Sequence, residues 1–593
     1  MLRNQYTTTT YPIRTLVDEV AAGRVGLPEL QRPFVWKRSD VRDLLDSLYQ
    51  GFPVGQIMTW ATGAEARQIG TTPKDAPPTL LLVDGQQRVT SLFAVLHGAP
   101  VIDEDYREVT VKIAFNPMTG KFDTQNAAIR NNPEWVDNVT DVFQSEGLLD
   151  IVSGYLDGLA AQRGEPADAA TRKSVQASFQ RLYSLPQITF DAVQLLAECP
   201  PETVAEVFVR INNKGKRLDA GNFLLTLMTV YADKDRKRIE EWVRDSKKPP
   251  TSSSEPSPFN HHHDIEPEDL VRAASGLAFR RGRLKSVYQF LRAGTLDAED
   301  GQAAQQGQDA FAAFSSALDR VLNIQDWHQF LQCVDAAGFR SKAQISSGFA
   351  MTVCWTLFMH GRATKVPQPL LKNVIARWFF MSQLTGRYSG SSETQFTSDL
   401  QDLTADGVDM VAAMEARLAA TLTEDFWTVT LLPEFEGRSW QRRSVNAYEA
   451  AQVVRGTETL FDPSGTSVAA HLTPSVVANK GIERHHLFPR AYLRSLYGKD
   501  HPVGVPHQNH PANVSFVAYV ENIDISDRSP AEYWPEMAAR LAPDVLKTQM
   551  EGHALWDGWH ELDYSAFIDK RMSKMSAVVR DGYARLVARR PNL

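Results

Sequence analysis

The chain has 593 residues, of which 43% are hydrophobic and 23% charged, and its formal net charge is −8. This length exceeds what a single hydrophobic core organises, so the composition indicates a globular protein of several domains. We find no apolar run long enough to cross a bilayer and no secretory signal, which predicts a cytoplasmic protein without a membrane partner. The three cysteines form no CxxC pair, which argues against a disulfide framework and a cysteine zinc site.

The acidic net charge does not by itself favour a nucleic-acid partner, because DNA-binding proteins contact phosphates through Lys and Arg. Two short segments are nevertheless basic, namely residues 280–285 (RRGRLK) and 438–443 (RSWQRR). Each is compatible with a DNA contact or with a solvated helix face. Charge therefore leaves a DNA partner open.

Residues 1–235 mix short apolar runs with helical patterns, which predicts an α+β domain. Ile57–Trp60 and Thr79–Val83 are typical of buried strands. Ser39 is the predicted N-cap of a helix that Gly51 ends in the left-handed conformation.

The second of these strands runs directly into Asp84 and Gly85, and helical spacing of apolar residues follows at once. Gln86, Gln87 and Arg88 therefore fall in the first helical turn, where unpaired backbone N–H groups suit a phosphate. A cation is unfavourable at this end of a helix unless an anion binds or a carboxylate pairs with it. The sequence leaves two interpretations, an anion site or an Asp84–Arg88 pair that braces the turn.

Two further polar segments occur in the same region. Gln31 and Arg32 precede the helix predicted from Ser39 and offer a second anion contact. A helical pattern that ends at residues 212–215 (NNKG) fits either a ligand role or a helix hairpin with a glycine cap. The sequence contains no Walker A loop, so an NTPase here would not be of the P-loop type.

The middle of the chain, residues 236–444, has mostly helical patterns. Residues 247–263 are rich in Pro and Ser and predict a linker or mobile loop between modules. Residues 386–394 (GRYSGSSET) are compatible with a phosphate contact or with a polar loop between helices. We therefore predict a helical domain that couples the two ends of the chain.

Histidines cluster in the third segment, residues 445–593, where five of the fourteen lie between His485 and His510. A neutral imidazole accepts a proton near pH 7, and imidazole and carboxylate groups bind divalent metals. These are the groups that phosphodiester hydrolysis requires. The alternatives are polar loop residues or a structural zinc site with His507 and His510 as additional ligands.

The elements around this cluster follow a ββα order. Alternating apolar residues predict a strand over 513–520, and residues 529–532 (SPAE) predict a helix start with a capping box. His485 and His486 then lie at a strand end or turn, and Asn522 lies in the approach to a helix.

Three motifs in order, LQRPFVW, LLVDGQQRVTSL and VFVRINNKGKRL, resemble the N-terminal domain of the GmrSD-type modification-dependent restriction enzymes. That domain is similar to the ParB nucleotide-binding fold. The resemblance implies binding, and often hydrolysis, of an NTP such as GTP or ATP. The residues it implies for the nucleotide site are Gln31, Arg32, Asp84, Gly85, Gln86, Gln87 and Arg88.

The segments HHLFP, NHPAN and ENIDISDRSPAEY resemble the HNH nuclease domain of the same family, a variant of the ββα-metal fold. The resemblance implies that His486 is the general base, and that Asn513 orients the base or braces the loop. It implies His485, Asn522 and Glu483 as ligands of Mg²⁺ or Mn²⁺.

We therefore expect a multidomain α+β protein with a ParB-like N-terminal domain, a helical middle and an HNH domain. Its expected function is NTP-regulated nicking or cleavage of DNA that carries a phosphorothioate or a glucosylated base, in anti-phage restriction. The alternatives are a nucleotide-gated DNA-binding regulator without cleavage and an RNase toxin. The sequence leaves the oligomeric state open, a homo-oligomer included.

Overall fold

The computed structural model divides the chain into two compact units, Met1–Lys237 and Arg238–Leu593. The residues it describes are 5–26, 36–61, 79–103, 107–145, 147–199, 207, 224–225, 228, 232–252, 255–293, 301–437, 439, 441–474, 482–498 and 508–591. Within them, no helix combines the length and the apolar character needed to span a bilayer.

The first unit is built on a mixed five-stranded sheet with the order β1-β9-β3-β4-β2. Its strands are β1 (Tyr6–Pro12), β2 (Val25–Gly26), β3 (Ile57–Ala61), β4 (Leu80–Asp84) and β9 (Thr189–Leu195). Strand β3 runs antiparallel to β4 and parallel to β9. The unit also contains the short strands β5 (Val101–Ile102), β6 (Glu108–Val109), β7 (Ile113–Asn116) and β8 (Lys121–Thr124).

The helices of this unit pack apolar faces against the sheet. They are α1 (Ile13–Ala21), α2 (Arg38–Gln50), α3 (Gln86–His97), α4 (Ala127–Arg130), α5 (Val139–Phe143), α6 (Leu148–Arg163) and α7 (Ala169–Tyr183). Leu44, Leu82, Val89 and Phe179 belong to one buried cluster. The α+β architecture and both predicted strands are therefore present.

The start of α2 differs from the prediction. The N-cap is Lys37 rather than Ser39, because the Asp40 carboxylate accepts a hydrogen bond of 2.9 Å from the Lys37 N–H and closes the first turn two residues earlier. Gly51 ends the helix with φ +76°, as predicted.

The second unit is mostly helical. Helix α8 is Asp233–Ser246, and the boundary between the units falls within it, after Lys237. The helices that follow, up to residue 421, are α9 (Pro267–Phe279), α10 (Leu284–Ala293), α11 (Gly301–Val321), α12 (Ile324–Ala336), α13 (Phe349–Ala363), α14 (Gln368–Thr385), α15 (Ser392–Thr404) and α16 (Met410–Thr421). Trp327, Phe330 and Trp355 pack in its core in tilted and edge-to-face contacts at centroid distances of 5.3–5.6 Å, and all three are buried.

The linker prediction for residues 247–263 is wrong in its C-terminal part. The Trp327 indole N–H donates to the Pro258 carbonyl at 3.0 Å, and the His261 carbonyl accepts from the Lys342 N–H at 2.8 Å. Residues 255–263 are thus held on the helical unit through partners distant in sequence, which composition does not reveal.

The remaining elements surround a two-stranded antiparallel sheet, β10 (Ile482–His486) and β11 (Val514–Ala518). The helices are α17 (Arg443–Arg455), α18 (Val468–Leu472), α19 (Arg490–Tyr497), α20 (Tyr519–Ile525), α21 (Pro530–Ala538), α22 (Pro543–Gly552) and α23 (Tyr564–Ala588). Helix α14 packs on both α17 and α23, so elements from both sides of residue 444 share one unit. The two strands and the helix predicted from Ser529, α21, are present, but α19 lies between the strands, and α20 replaces the end of the strand predicted over 513–520.

Candidate functional site

The two histidines of the HHLFP segment lie at the end of β10. In the antiparallel register His485 lies opposite Ser515, and His486 lies opposite Val514. Helix α20 follows β11 directly, so Asn522 lies inside a helix rather than in the approach to one. The capping box that begins α21 is formed by Ser529 and Glu532, as predicted.

His485 faces the helix that follows the sheet. Its Nδ1 lies 2.5 Å from the Oδ1 of Asn522, its ring contacts Tyr533 edge-on, and only 6% of the residue is exposed. Burial lowers the pKa of His485 to about 4, although the Asn522 contact opposes this shift. The imidazole is therefore neutral at pH 7, which is the form that binds metals.

The Asn522 contact also determines the tautomer of His485. Because an amide oxygen accepts hydrogen bonds, Nδ1 carries the proton and Nε2 carries the lone pair. Among the described residues Nε2 is buried and has no hydrogen-bond partner. A neutral imidazole nitrogen without a partner suits a divalent cation, so Nε2 of His485 is the candidate ligand atom, while the Asn522 Oδ1 lies at the other ring nitrogen.

Other metal ligands are not found in the described part of the chain, where no three His, Cys, Asp or Glu side chains cluster. The Glu483 side chain lies outside what the structure describes, as does His507. His510 is buried, and its Nδ1 accepts a hydrogen bond of 3.0 Å from the Ala512 N–H, which makes it the cap of a short 3-10 turn.

His486 is partly exposed at the end of the strand. Its Nε2 lies 3.2 Å from the Oδ1 of Asn509, a contact that sequence analysis did not foresee. Burial lowers the pKa of His486, and the positive charge of Arg490 lowers it further. A neutral imidazole at this place can accept a proton from water.

Asn513 is fully buried between two loops. Its Nδ2 donates to the carbonyls of Phe488 and Gln508, both at 3.0 Å, and its Oδ1 accepts from the Phe488 N–H at 2.8 Å. These three bonds use all but one of the hydrogen-bonding positions of the amide. Asn513 therefore fixes the main chain at Phe488, two residues after His486.

Buried polar side chains bond to the β10–β11 pair and to the chain next to it. The Tyr533 hydroxyl donates to the Leu487 carbonyl at 2.7 Å, and the Ser515 Oγ lies 2.7 Å from the His553 Nδ1. Arg571 of α23 is 0% exposed and donates to the Ala512 carbonyl at 2.7 Å and the His553 carbonyl at 3.0 Å. These positions carry no sequence signal, since their partners are main-chain groups far away along the chain.

A small pocket opens beside the hairpin. It is bordered by Glu449, Gln452, Arg484 and Ser515. Glu449 is 5% exposed and pairs with Arg484 at 2.7 Å. Burial raises the pKa of Glu449, and the arginine counteracts the shift. The pair fastens β10 to α17 next to the histidines.

In the first unit, β4 ends at Asp84, and α3 begins at Gln86, so Gln86, Gln87 and Arg88 lie in the first turn as predicted. Gln86 is buried and Gln87 is partly buried. Gln31 and Arg32 lie outside the described residues, as does the segment 212–215.

Arg88 points back to the loop before β3. Its guanidinium donates to the carbonyls of Val54 and Gln56 at 2.7 and 2.8 Å, and it lies 3.5 Å from the Asp84 carboxylate. The Asp84–Arg88 pair is therefore present, and it is joined by main-chain acceptors that the sequence did not reveal. Gln86, Gln87 and Arg88 form the N-terminal turn of α3, the kind of helix end at which a phosphate is favourable.

Gly85 makes this turn sterically possible. Its φ is +92°, and a Cβ at this place would lie 2.7 Å from the Cγ2 of Ile57. Gly51 has a similar φ of +76°, but a Cβ there would have nothing within 4 Å. A substitution at Gly51 therefore adds backbone strain alone, whereas a substitution at Gly85 adds a steric overlap with Ile57 as well.

We expect Gly85→Ala to destabilise the first unit by about 2 to 4 kcal/mol, and Gly51→Ala by about 1 kcal/mol. The first change adds an overlap with a buried strand, whereas the second adds only left-handed strain. Urea unfolding followed by tryptophan fluorescence, which includes Trp60, measures both. Equal losses would show that the contact with Ile57 relaxes without cost.

The GRYSGSSET segment forms the loop between α14 and α15. Arg387 and Tyr388 both bond to the buried carboxylate of Asp399, the Arg387 Nε at 2.9 Å and the Tyr388 hydroxyl at 2.7 Å. Tyr388 is also buried. These contacts favour the polar inter-helix loop over a phosphate contact by Arg387 or Tyr388.

Both basic segments reach this loop. Arg283 donates to the Thr394 hydroxyl, and Arg443 donates to the Thr385 carbonyl at 3.2 Å and to the Ser389 hydroxyl at 3.4 Å. Arg280 pairs with Asp406. Arg280, Arg283 and Arg443 of the two basic segments are therefore engaged in intramolecular contacts.

Residues 13–228 match the family model of the GmrSD restriction endonuclease, N-terminal domain. Residues 13–228 are therefore similar to the N-terminal domain of this family, as the motifs of this region indicate. The chain is also 21% identical over 565 residues to an uncharacterised protein of Methanocaldococcus jannaschii, an alignment that covers 88% of this chain and 86% of that protein.

Proposed function

We propose that this protein is a metal-dependent HNH endonuclease that nicks or cleaves modified DNA in the cytoplasm, under control of a bound NTP. The observation that carries the proposal is the placement of His485, His486 and Asn522. Two adjacent histidines end one strand of an antiparallel pair, and the asparagine of the following helix contacts the first of them.

In this proposal His486 is the general base. Its ring is kept neutral by partial burial and by the charge of Arg490, and Asn509 contacts its Nε2. A neutral imidazole removes the proton from the water that attacks phosphorus, an effect typically about 100-fold to 10,000-fold on the rate. Asn513 is a positioning residue that fixes Phe488 and hence the chain after His486.

His485 and Asn522 would hold Mg²⁺ or Mn²⁺, with Glu483 as a further candidate ligand. A bound ion of this kind stabilises the charge that develops on the phosphate and on the leaving oxygen. In the structure Asn522 accepts from Nδ1 of His485, so its amide would turn away from this bond to share an ion with Nε2. Tyr533 packs against the same ring and keeps it out of bulk water.

The first unit would bind GTP or ATP and sense the modification of the DNA. Asp84, Gly85 and Gln86 end β4 and begin α3, where the main-chain N–H groups can bind phosphate. Gln87 and Arg88 belong to the same turn, and Gln31 and Arg32 are the other proposed contacts. Arg88 would act mainly by holding residues 54–56 in place.

The test is a cleavage assay on unmodified, phosphorothioate and glucosylated DNA, with Mg²⁺ or Mn²⁺ or with EDTA, and with or without GTP or ATP. We expect cutting only with metal, a preference for one modified substrate, and a change in rate on addition of one nucleotide. Binding without cutting under every condition would favour a nucleotide-gated regulator. Cleavage of RNA but not of DNA would favour an RNase toxin.

A further inference from the structure

We propose that Arg490 and Arg494 of α19 bind the DNA sugar-phosphate backbone beside the phosphate attacked at His486. The inference rests on the proposed nuclease function and names a DNA contact for it. It follows from where these two arginines lie and from the absence of a counter-charge for them among the described residues.

Helix α19 begins four residues after His486 and is held firmly to the unit. Phe488 and Leu493 are buried, and the Phe488 ring packs against Phe567 in a tilted contact with 4.8 Å between centroids. Arg490 and Arg494 are both exposed and lie one helical turn apart. The rigid anchor thus presents two guanidinium groups to solvent next to the candidate base.

The two arginines lack the acidic partners that other arginines of this region have. Arg528, Arg540 and Arg580 each pair with a carboxylate at 2.6–2.7 Å. In the part of the chain that the structure describes, no such carboxylate lies within 4.0 Å of Arg490 or Arg494. Like charges one turn apart repel, and Arg490 in the first turn also opposes the helix dipole. An external anion would relieve both effects.

A polyanion fits this arrangement better than a single phosphate ion. Two guanidinium groups along one helix face can contact successive phosphates of a strand, each by bidentate hydrogen bonds. The strand would then continue to His486, which lies four residues before Arg490 at the end of β10. Phosphate contacts of this type fix the register of a duplex without reading its sequence.

The experiment compares the salt dependence of DNA binding in full-length proteins. A fluorescein-labelled duplex is titrated with His486→Ala protein, with the same protein carrying Arg490→Gln and Arg494→Gln, and with a control carrying Arg580→Gln and Arg585→Gln. The control removes the same charge from α23, where each arginine is exposed and has its own carboxylate. Circular dichroism checks that all variants fold.

We expect the slope of log affinity against log salt to be smaller in magnitude by about 1.8 for the α19 double variant, because each lost phosphate contact removes about 0.9. The slope of the control should stay unchanged. In protein that retains His486 and cuts DNA, the α19 double variant should raise KM, because binding energy common to substrate and transition state is lost. Equal slopes in the α19 variant and the control would overturn the proposal, even if the wild type cleaves DNA. A wild type that neither binds nor cuts DNA would overturn this proposal and the proposed function together.

Discussion

Replacing His486 by alanine should reduce metal-dependent DNA cleavage by about 100-fold to 10,000-fold, the usual contribution of a positioned general base. The side chain is partly exposed at the end of β10, so its removal leaves the hairpin register intact. DNA affinity and thermal stability should therefore stay close to those of the wild type. Initial rates of nicking on a labelled modified duplex measure the effect.

His328→Ala is a suitable control for this experiment. His328 is an exposed histidine of α12 that contacts the Ser257 carbonyl at 2.8 Å and lies in the helical part of the same unit. The control should cleave at the wild-type rate. Cleavage by the His486 variant at the rate of this control would rule out His486 as the base.

Replacing Asp399 by alanine should destabilise the second unit by about 3 to 5 kcal/mol, because it leaves a buried cation without its counter-charge. Asp399 is 0% exposed and binds Arg387 through both carboxylate oxygens, while Tyr388 adds a third bond. Urea unfolding followed by circular dichroism measures the loss. DNA binding by the folded variant should change little.

Asp402→Ala provides the matched comparison. Asp402 lies one turn later in α15 and pairs with Arg417 at 3.1 Å, but this pair is at the surface, and its loss should cost less than about 1 kcal/mol. A small stability loss for Asp399→Ala, together with lost DNA binding, would instead show that the GRYSGSSET loop contacts phosphate.

Features determined by neighbouring residues could be predicted from the sequence. The strand before Asp84, the left-handed end of α2 at Gly51 and the capping box at Ser529 each depend on a few consecutive residues. Their formation is a local matter of backbone conformation and capping. The strand β11 was predictable from its alternating apolar residues, whereas α19 and α20 beside the histidines were not predicted.

Features determined by distant partners were missed. The main-chain acceptors of Arg88 lie 32 and 34 residues before it, and the contacts that hold residues 255–263 come from α12 and Lys342. The contact between His485 and Asn522 spans 37 residues and was accessible only through the family resemblance. Hydrogen-bond partners at such separations leave no periodic pattern in a single sequence.

The buried guanidinium of Arg571 has a consequence for how the protein is made. It lies in α23, well after β10 and β11 in the chain, yet it holds the Ala512 carbonyl at the start of β11 and the His553 carbonyl. A nascent chain therefore presents His485 and His486 before the residue that secures their support has been synthesised. The support of the β10–β11 hairpin is therefore complete only after α23 has been synthesised.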